Sequence, residues 1–297
     1  MKIVIVTGPS ATGKTNLALQ YAKKYDGELV NFDSRQIYKK LDIITGKDKQ
    51  IISNFKFLIS NYIWLYDLVD PKEYFSSFDF VQRAITVIKD IIDRKKVPIL
   101  VGGTYLYLYH LLYKIETENI PPSLLLRQKL NTETVAKLQD KLREVDTHLF
   151  QNLNESDKQN PQRLIRKIEI ASFYKKKGVK VPTKMQFLFN NFFKDKEIEF
   201  IGLTYKNRED IFKAIKIRVD KRLKEGAIDE VRSLLAEGYN EHDPGMKTIG
   251  YQQIIRYLKG KMTKQQAIDE WTRKEFQYTK RQLTFMKKDP NIVWRYV

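Results

Sequence analysis

The chain has 297 residues, 42% of them hydrophobic, which is enough for a core of ordinary size plus an insertion. It contains no cysteine, so disulfides and cysteine-ligated zinc are excluded, and its histidines His110, His148 and His242 do not have metal-ligand spacing. The formal net charge is +18, which favours a polyanionic partner such as nucleic acid, although a lysine-rich solvated surface would give the same excess.

The first predicted strand, residues 3–6 (IVIV), runs directly into a candidate phosphate-binding loop. Residues 8–15 (GPSATGKT) fit the pattern G-x-x-x-x-G-K-[ST], and Leu17, Ala18 and Tyr21 recur beyond it at helical spacing. Strand, loop and helix therefore follow one another as the motif requires. A glycine-rich turn that only connects a strand to a helix would not need the four fixed positions of this motif. The motif predicts that the chain binds a phosphate compound, but it does not identify the compound.

The residue types in this loop suit an anion. Glycine lets the backbone turn and approach a phosphate closely, and successive N–H groups at a helix start attract negative charge. Lys14 adds a full positive charge, and the Thr15 hydroxyl can hold a magnesium ion. The predicted phosphate contacts are Gly8, Pro9, Ser10, Ala11, Thr12, Gly13, Lys14 and Thr15.

Polar side chains follow the second predicted strand, residues 28–32 (ELVNF). They are Asp33, Ser34, Arg35 and Gln36, and in open α/β sheets ligands bind at the carboxyl ends of the strands. Asp33 is therefore a candidate general base beside the phosphate loop. Magnesium coordination and the capping of a turn are alternative roles for this carboxylate.

Strands and helices then alternate. We predict a buried strand over residues 62–69, a helix over 78–92, a strand over 97–101 and a helix over 106–112. This alternation is typical of a parallel, doubly wound sheet. The third of these elements ends at Gly102-Gly103-Thr104, where Thr104 is either a helix cap or a site residue.

The composition changes after Pro121-Pro122, since residues 123–192 have helical patterns and no convincing strand. Several basic residues fall in this segment, and Arg163 and Arg166, three positions apart, lie on one helix face. Such a face can hold backbone phosphates, or it can be an ordinary solvated surface.

A strand over residues 199–204 marks the return to the first domain. Helices are predicted over 210–224, which carries Arg218, over 228–235, and from 247–252 onward. Arg218 could reach the phosphate site as a planar cation. A capping box at Thr263 opens a last helix to about residue 288, whose basic and aromatic residues suit either a nucleic-acid groove or an amphipathic helix.

These elements predict an α/β fold, a P-loop-containing parallel sheet flanked by helices, with an all-helical insertion domain. The core comprises residues 1–114 and 198–297, and the insertion comprises residues 115–197. No segment is long and apolar enough to cross a bilayer, and the first strand leaves no room for a signal peptide. We therefore expect a cytoplasmic protein without a membrane partner, acting as a monomer.

Several phrases of the sequence resemble the bacterial tRNA dimethylallyltransferases, also called isopentenyl-tRNA transferases. They appear in the family's order over nearly the whole chain, and they are GPSATGKT (8–15), DSRQIYKKLDI (33–43), PILVGGTYLYL (98–108), NPQRLIR (160–166), KTIGYQ (247–252) and KRQLTF (280–285). The loop is shared by many enzymes, whereas the run from Asp33 to Tyr38 combined with the Gly-Gly-Thr element is far more specific.

The resemblance implies transfer of a dimethylallyl group from dimethylallyl diphosphate to the exocyclic N6 amine of an adenosine in tRNA. The adenosine lies immediately 3′ of the anticodon, magnesium assists, and pyrophosphate leaves. In this family the phosphate loop binds a prenyl diphosphate and no phosphoryl group is transferred. The helical insertion of the family clasps the anticodon stem-loop.

The resemblance also implies roles for single residues. Asp33 would accept the amine proton, Thr104 would line the channel where the substrates meet, Lys14 and Arg218 would stabilise pyrophosphate, and Thr15 would hold magnesium. The implied tRNA contacts are Asp33, Ser34, Arg35, Gln36, Thr104, Arg127, Gln162, Arg163, Arg166, Lys247, Gly250, Tyr251, Lys280, Arg281 and Gln282.

The sequence departs from the family pattern in several places. The usual Asp-Ile-Gly-Thr-Ala-Lys-Pro is here residues 42–48 (DIITGKD), with its glycine moved to Gly46, and Tyr105, Asn160, Phe276 and Phe285 also differ from the common residues.

Other functional hypotheses share many of these sequence features. A small-molecule kinase would use the same loop and Asp33, a prenyltransferase acting on free adenylate would not need the insertion, and an RNA-binding module would show no chemistry.

Overall fold

The computed structural model describes residues 1–47, 63–114, 120, 122–179, 181 and 186–297. These residues form two compact units. The first comprises Met1–Leu112 and Phe189–Val297, and the second comprises Tyr113–Leu188. None of the described helices combines the length and apolar character needed to cross a membrane.

A five-stranded parallel sheet organises the first unit. Its strands are β1 (Lys2–Thr7), β2 (Gly27–Asn31), β3 (Val97–Val101), β4 (Glu197–Thr204) and β5 (Val293–Tyr296), in the spatial order β2-β3-β1-β4-β5. This arrangement confirms the predicted parallel α/β fold. Strand β5 was not predicted; it has four residues (VWRY), three of them exposed.

Helices are numbered along the whole chain. The first unit contains α1 (Lys14–Tyr25), α2 (Ser77–Asp93) and α3 (Tyr105–Leu112), the second unit contains α4 (Leu124–Leu130), α5 (Val135–Val145), α6 (Thr147–Gln151), α7 (Glu155–Lys158) and α8 (Pro161–Lys177), and the first unit resumes with α9 (Arg208–Lys224), α10 (Ala227–Ala236), α11 (Tyr251–Leu258) and α12 (Lys264–Met286). A short 3-10 helix, Gly245–Lys247, precedes α11.

The core of the first unit lies where α1 packs on the sheet. Ala18, Leu19 and Ala22 of α1 contact apolar residues that include Val4 of β1 and Ile99 of β3. Burial of this apolar surface is the main stabilising contribution to such a layer. The packing fixes the start of α1, and with it the predicted phosphate loop, at the carboxyl end of the central strand.

The strand predicted over residues 62–69 is wrong for the part of it that the structure describes. Residues 63–69 form turns, and two isolated bridges pair Trp64 with Val30 and Val69 with Tyr38. Leu65 and Asp67 have positive φ angles of 68° and 54°, which interrupt an extended backbone. Tyr62 lies outside the described residues, as does Pro121.

The second unit has its own helical core. Leu138 and Leu142 of α5 pack against Leu164, Ile165 and Ile168 of α8. Helices are the regular elements of residues 122–179, in line with the periodicity of the sequence. Asn160 caps the start of α8, because its side chain accepts the Arg163 N–H.

Candidate active site

The phosphate loop is a closed turn between β1 and α1. Gly8 has φ 140°, and a Cβ there would lie 2.3 Å from the Leu203 carbonyl oxygen of β4, so only glycine fits. The Pro9 carbonyl oxygen accepts hydrogen bonds from the Thr12 hydroxyl at 3.0 Å and from Lys14 Nζ at 2.6 Å. Tyr205 donates its hydroxyl to the Ala11 carbonyl at 2.7 Å, which ties the loop to the end of β4.

The loop faces α9 across an open groove of about 360 Å³. The groove is lined by the loop and by one face of α9, whose residues Ala214, Ile217, Arg218 and Lys221 follow one another at helical spacing. Arg218, Lys14 and Thr15 therefore line the same groove, which the sequence could not establish. The basic residues Lys14, Arg218, Lys221 and the mostly buried Arg222 line this groove, and because, among the described residues, Glu225 is the carboxylate that pairs with Lys221 and Arg222, the groove keeps an excess of positive charge.

The turn after β2 carries Asp33 and is tied to the Gly-Gly-Thr element. Asn31 Oδ1 accepts the Asp33 N–H at 2.8 Å, and Asp33 Oδ1 accepts the Arg35 N–H at 3.0 Å. Thr104 Oγ1 accepts the Ser34 N–H at 2.9 Å and lies 3.0 Å from Ser34 Oγ. Thr104 is thus hydrogen-bonded to Ser34, the neighbour of Asp33 in the chain, and these residues form one group at the carboxyl ends of β2 and β3.

Gly103 marks the point where this group meets the phosphate loop. A Cβ on Gly103 would lie 3.2 Å from Asp33 Oδ2, 3.5 Å from the Gly8 carbonyl oxygen and 2.9 Å from Gln282 Nε2. Gln282 donates this Nε2 to the Gly103 carbonyl at 2.6 Å, so α12 is also fixed here. The Oε1 atom of Gln282 is buried and has no hydrogen-bond partner among the described residues. The phosphate loop and the candidate base therefore lie side by side.

Arg35 lies in a buried cluster with Glu275 and Tyr278, neither of which was among the predicted site residues. Its guanidinium forms a 2.9 Å ion pair with Glu275 and stacks 4.0 Å from the ring centre of Tyr278. Burial lowers the pKa of Arg35, but Glu275, Tyr278 and Asp33 outweigh it and raise the pKa overall. Burial raises the pKa of Tyr278, while the charge of Arg35 opposes this shift. No local pattern marks Glu275, whereas Tyr278 is one of the aromatic residues of the predicted last helix.

The other residues implied as tRNA contacts in the first unit differ in exposure. Lys247, Lys280 and Arg281 are exposed, whereas Gly250 and Tyr251 are buried. Gln36 donates its Nε2 to the carbonyl oxygens of Thr45, at 3.3 Å, and Gly46, at 2.8 Å. The exposed cations are therefore accessible to a polyanion, and the buried residues support the fold around them.

In the second unit, Arg127 and Arg166 share one buried carboxylate. Glu169, 5% exposed, accepts two hydrogen bonds from Arg127, at 2.8 and 2.9 Å, and one from Arg166 at 3.0 Å. Burial would raise the pKa of Glu169, but these donors and the Ser123 N–H lower it below its usual value. Arg163 and Gln162 are exposed on the same helix, and Arg163 pairs with Asp157.

Two residues that depart from the family pattern, Tyr105 and Phe285, contact each other. Tyr105 packs edge-to-face on Phe285, with ring centres 4.8 Å apart and planes at 78°, and its hydroxyl donates to Asp289 at 2.5 Å. Phe276, a third departure, packs edge-to-face on Phe212 at 5.4 Å. Such aromatic pairs add stability beyond their buried area. Asp48 of the altered loop lies outside the described residues.

Comparison with known proteins settles the family. The family model described as IPP transferase matches residues 36–289. A tRNA dimethylallyltransferase from Caldanaerobacter subterraneus subsp. tengcongensis is 34% identical over 307 residues, covering 100% of this chain and 92% of that protein. The chain belongs to the IPP transferase family.

Solved structures of this family share the fold. The crystal structure of the full-length tRNA isopentenylpyrophosphate transferase from Bacillus halodurans is 30% identical, with a TM-score of 0.67 and coverage of 99% of this chain and 89% of that chain. The tRNA delta(2)-isopentenylpyrophosphate transferase from Staphylococcus epidermidis gives 30% identity, a TM-score of 0.68 and coverage of 99% and 92%. These likenesses, like the sheet topology, confirm the fold class and the family resemblance.

Proposed function

We propose that this IPP transferase moves a dimethylallyl group from dimethylallyl diphosphate to the N6 amine of an adenosine in tRNA, releasing pyrophosphate. The observation that carries the proposal is the geometry at Gly103. The Asp33 carboxylate and the carbonyl oxygen of Gly8, the first residue of the phosphate loop, both lie within 3.5 Å of the position that a Cβ on Gly103 would take. A cationic groove for a diphosphate and a carboxylate for an amine proton thus lie next to each other. The Caldanaerobacter relative named above, of which the match covers 92%, is a tRNA dimethylallyltransferase.

The loop and α9 bind the donor. Breaking the allylic C1–O bond places negative charge on the leaving pyrophosphate, and catalysis requires cations where that charge develops. Lys14, Arg218 and the N–H groups of the loop supply them in the groove that they line. Lys14 already donates to the Pro9 carbonyl, so its ammonium stands at the loop and can exchange this bond for a phosphate oxygen.

Asp33 and Thr104 handle the acceptor. The N6 amine forms the new bond to C1, and one of its protons passes to the Asp33 carboxylate. The two hydrogen bonds of the Asp33 turn, from its own N–H to Asn31 and from the Arg35 N–H to Oδ1, orient the carboxylate so that Oδ2 is directed towards Gly103. Thr104 accepts the Ser34 N–H and thereby holds the turn that carries the base.

Magnesium fits the groove. The described residues contain no cluster of three His, Cys, Asp or Glu side chains that could hold a metal by themselves. Magnesium commonly binds through one or two protein oxygens together with substrate phosphates, and Thr15 offers such an oxygen beside Lys14. Bound there with the diphosphate, the ion would neutralise charge on the leaving group.

Exposed cations of both units are proposed to bind the tRNA backbone at the anticodon stem-loop. They are Arg163 in the second unit and Lys247, Lys280 and Arg281 in the first. Cations of this kind position an RNA without reading its sequence. The target adenosine, 3′-adjacent to the anticodon, must leave its stack to reach Asp33. The enzyme is proposed to act as a monomer in the cytoplasm.

A transfer assay tests the proposal. Protein, magnesium and radiolabelled dimethylallyl diphosphate are incubated with unmodified tRNA bearing adenosine next to the anticodon, and in parallel with AMP. Label on the tRNA alone is the expected result. Label on AMP alone would assign the chain to free-adenylate prenylation, and phosphoryl transfer from ATP without prenylation would assign it to the kinases.

A further inference from the structure

A single helical turn, residues 42–45, stands beside the diphosphate groove. Gly46 donates its N–H to the carbonyls of Asp42, at 2.9 Å, and Ile43, at 3.1 Å, and Lys47 donates its N–H to Asp42 at 3.1 Å. With Gly46 at φ 74°, this is the left-handed ending that commonly closes a helix. The carbonyls of Thr45 and Gly46 therefore leave the turn without helical partners.

One of those carbonyls, that of Thr45, binds the arginine that lines the groove with the phosphate loop. Thr45 O accepts a hydrogen bond from Arg218 Nη2 at 3.2 Å, and Gln36 supports the same end of the turn. A Cβ on Gly46 would lie 2.7 Å from Arg218 Nη2 and 2.3 Å from Arg222 Nη2. The glycine thus allows both guanidinium groups to approach the negative end of the turn.

The opposite, positive end of the turn is held by Glu230 of α10. Its carboxylate accepts the N–H groups of Asp42 at 2.9 Å, Ile43 at 2.6 Å and Ile44 at 3.3 Å. Tyr251 donates its hydroxyl to the same carboxylate at 2.5 Å. Because a carboxylate accepting several N–H groups makes strong hydrogen bonds, Glu230 fixes where the turn lies.

We propose that Glu230 and Gly46 are positioning residues of the diphosphate site: Glu230 fixes the turn, and the turn fixes the Arg218 guanidinium at the edge of the groove. This inference rests on the proposed function only in taking a diphosphate as the ligand. It also accounts for the moved glycine of this sequence. Gly46 leaves room for the guanidinium groups of Arg218 and Arg222. The Ile44 side chain packs against Gly250, with an atom 2.5 Å from the position that a Cβ on Gly250 would take.

The first test is Glu230→Gln, which keeps the shape but replaces one accepting oxygen with a donor. Its matched control is Glu237→Gln, at the end of the same helix, where Glu237 forms an exposed pair with Lys40. The affinity for inorganic pyrophosphate with magnesium is measured by calorimetry, together with KM for each substrate. We expect about 10-fold weaker pyrophosphate binding and a similar rise in KM for dimethylallyl diphosphate, with KM for tRNA unchanged.

The second test is Gly46→Ala, with Gly260→Ala as its control. Gly260 has a comparable φ of 68° but no atom within 4 Å of its Cβ position, so the control carries the backbone strain without displacing an arginine. We expect only Gly46→Ala to weaken pyrophosphate binding. The proposal is overturned if both test variants bind pyrophosphate as their controls do, even if their melting temperatures fall. Absence of prenyl transfer by the unmodified chain would instead refute the proposed function, while pyrophosphate binding would still decide the role of Glu230.

Discussion

Arg35 and Glu275 are separated by 240 positions in the chain, and their side chains meet in a 2.9 Å ion pair next to the Asp33 turn. The pair joins the loop after β2 to the middle of α12, and Tyr278 covers the guanidinium at 4.0 Å. Both side chains are largely withdrawn from water, with 16% and 12% of their surface exposed. Arg35, which the family resemblance implies as a tRNA contact, is therefore held by an ion pair through its side chain while its N–H donates to the carboxylate of the candidate base.

Replacing Glu275 by Gln should destabilise the protein, because a buried guanidinium would lose its charge partner. Breaking such a pair costs about 3 kcal/mol of the free energy of unfolding, to be measured by urea denaturation. The double variant Arg35→Met, Glu275→Met should recover part of this loss, since no charge is then left buried. Equal stability of Glu275→Gln and Glu237→Gln would show that the pair contributes nothing beyond an exposed one.

Replacing Asp33 by Asn should abolish most of the transfer while preserving the turn. The amide oxygen can still accept the Arg35 N–H, but the side chain cannot take up the amine proton. We expect kcat to fall by roughly 10² to 10⁴ with tRNA affinity within about threefold of the unmodified protein. Single-turnover kinetics and filter binding measure the two quantities. A variant that retains a near-normal kcat would rule out Asp33 as the base.

Replacing Arg163 by Ala should weaken tRNA binding and make it less dependent on salt. One lost phosphate contact reduces the slope of log affinity against log salt by about one. The matched control is Arg232→Ala, an exposed arginine of α10 that pairs with Asp229. Arg166 is a poorer choice, because its removal would also disturb the buried Glu169. An unchanged slope would mark Arg163 as ordinary surface.

Replacing Glu169 by Gln should destabilise the second unit in a pH-dependent way. The folded state lowers the pKa of Glu169 below its ordinary value of 4.5, so the carboxylate stabilises the fold fully above that value. This stabilisation disappears as the pH falls through the folded-state pKa. Hydrogen exchange of α8 amides should show a deficit of about 3 kcal/mol at pH 7 that narrows below about pH 4.5. A deficit independent of pH would contradict the charged role of Glu169.

Local patterns predicted most of the helices and strands. The apolar strand, glycine loop and helical spacing around residues 3–21 appear in the structure as β1, the loop and α1, and the capping box at Thr263 opens α12 as predicted. One strand was predicted where the described residues do not form one, and another strand, β5, was not predicted. Residues 63–69 are apolar enough for a strand but contain two positive φ angles, and β5 pairs with β4 although its residues are mostly exposed.

The sequence by itself determined the phosphate loop, the α/β alternation and the family, because these depend on residues close together in the chain. Only the tertiary structure decided which side chains meet. It placed Asp33 beside the loop at Gly103, paired Arg35 with Glu275, and directed Glu230 to the N–H groups of the 42–45 turn. Such contacts depend on how the sheet and helices pack. The residues around a glutamate in the sequence do not show whether its carboxylate caps a distant turn or faces water.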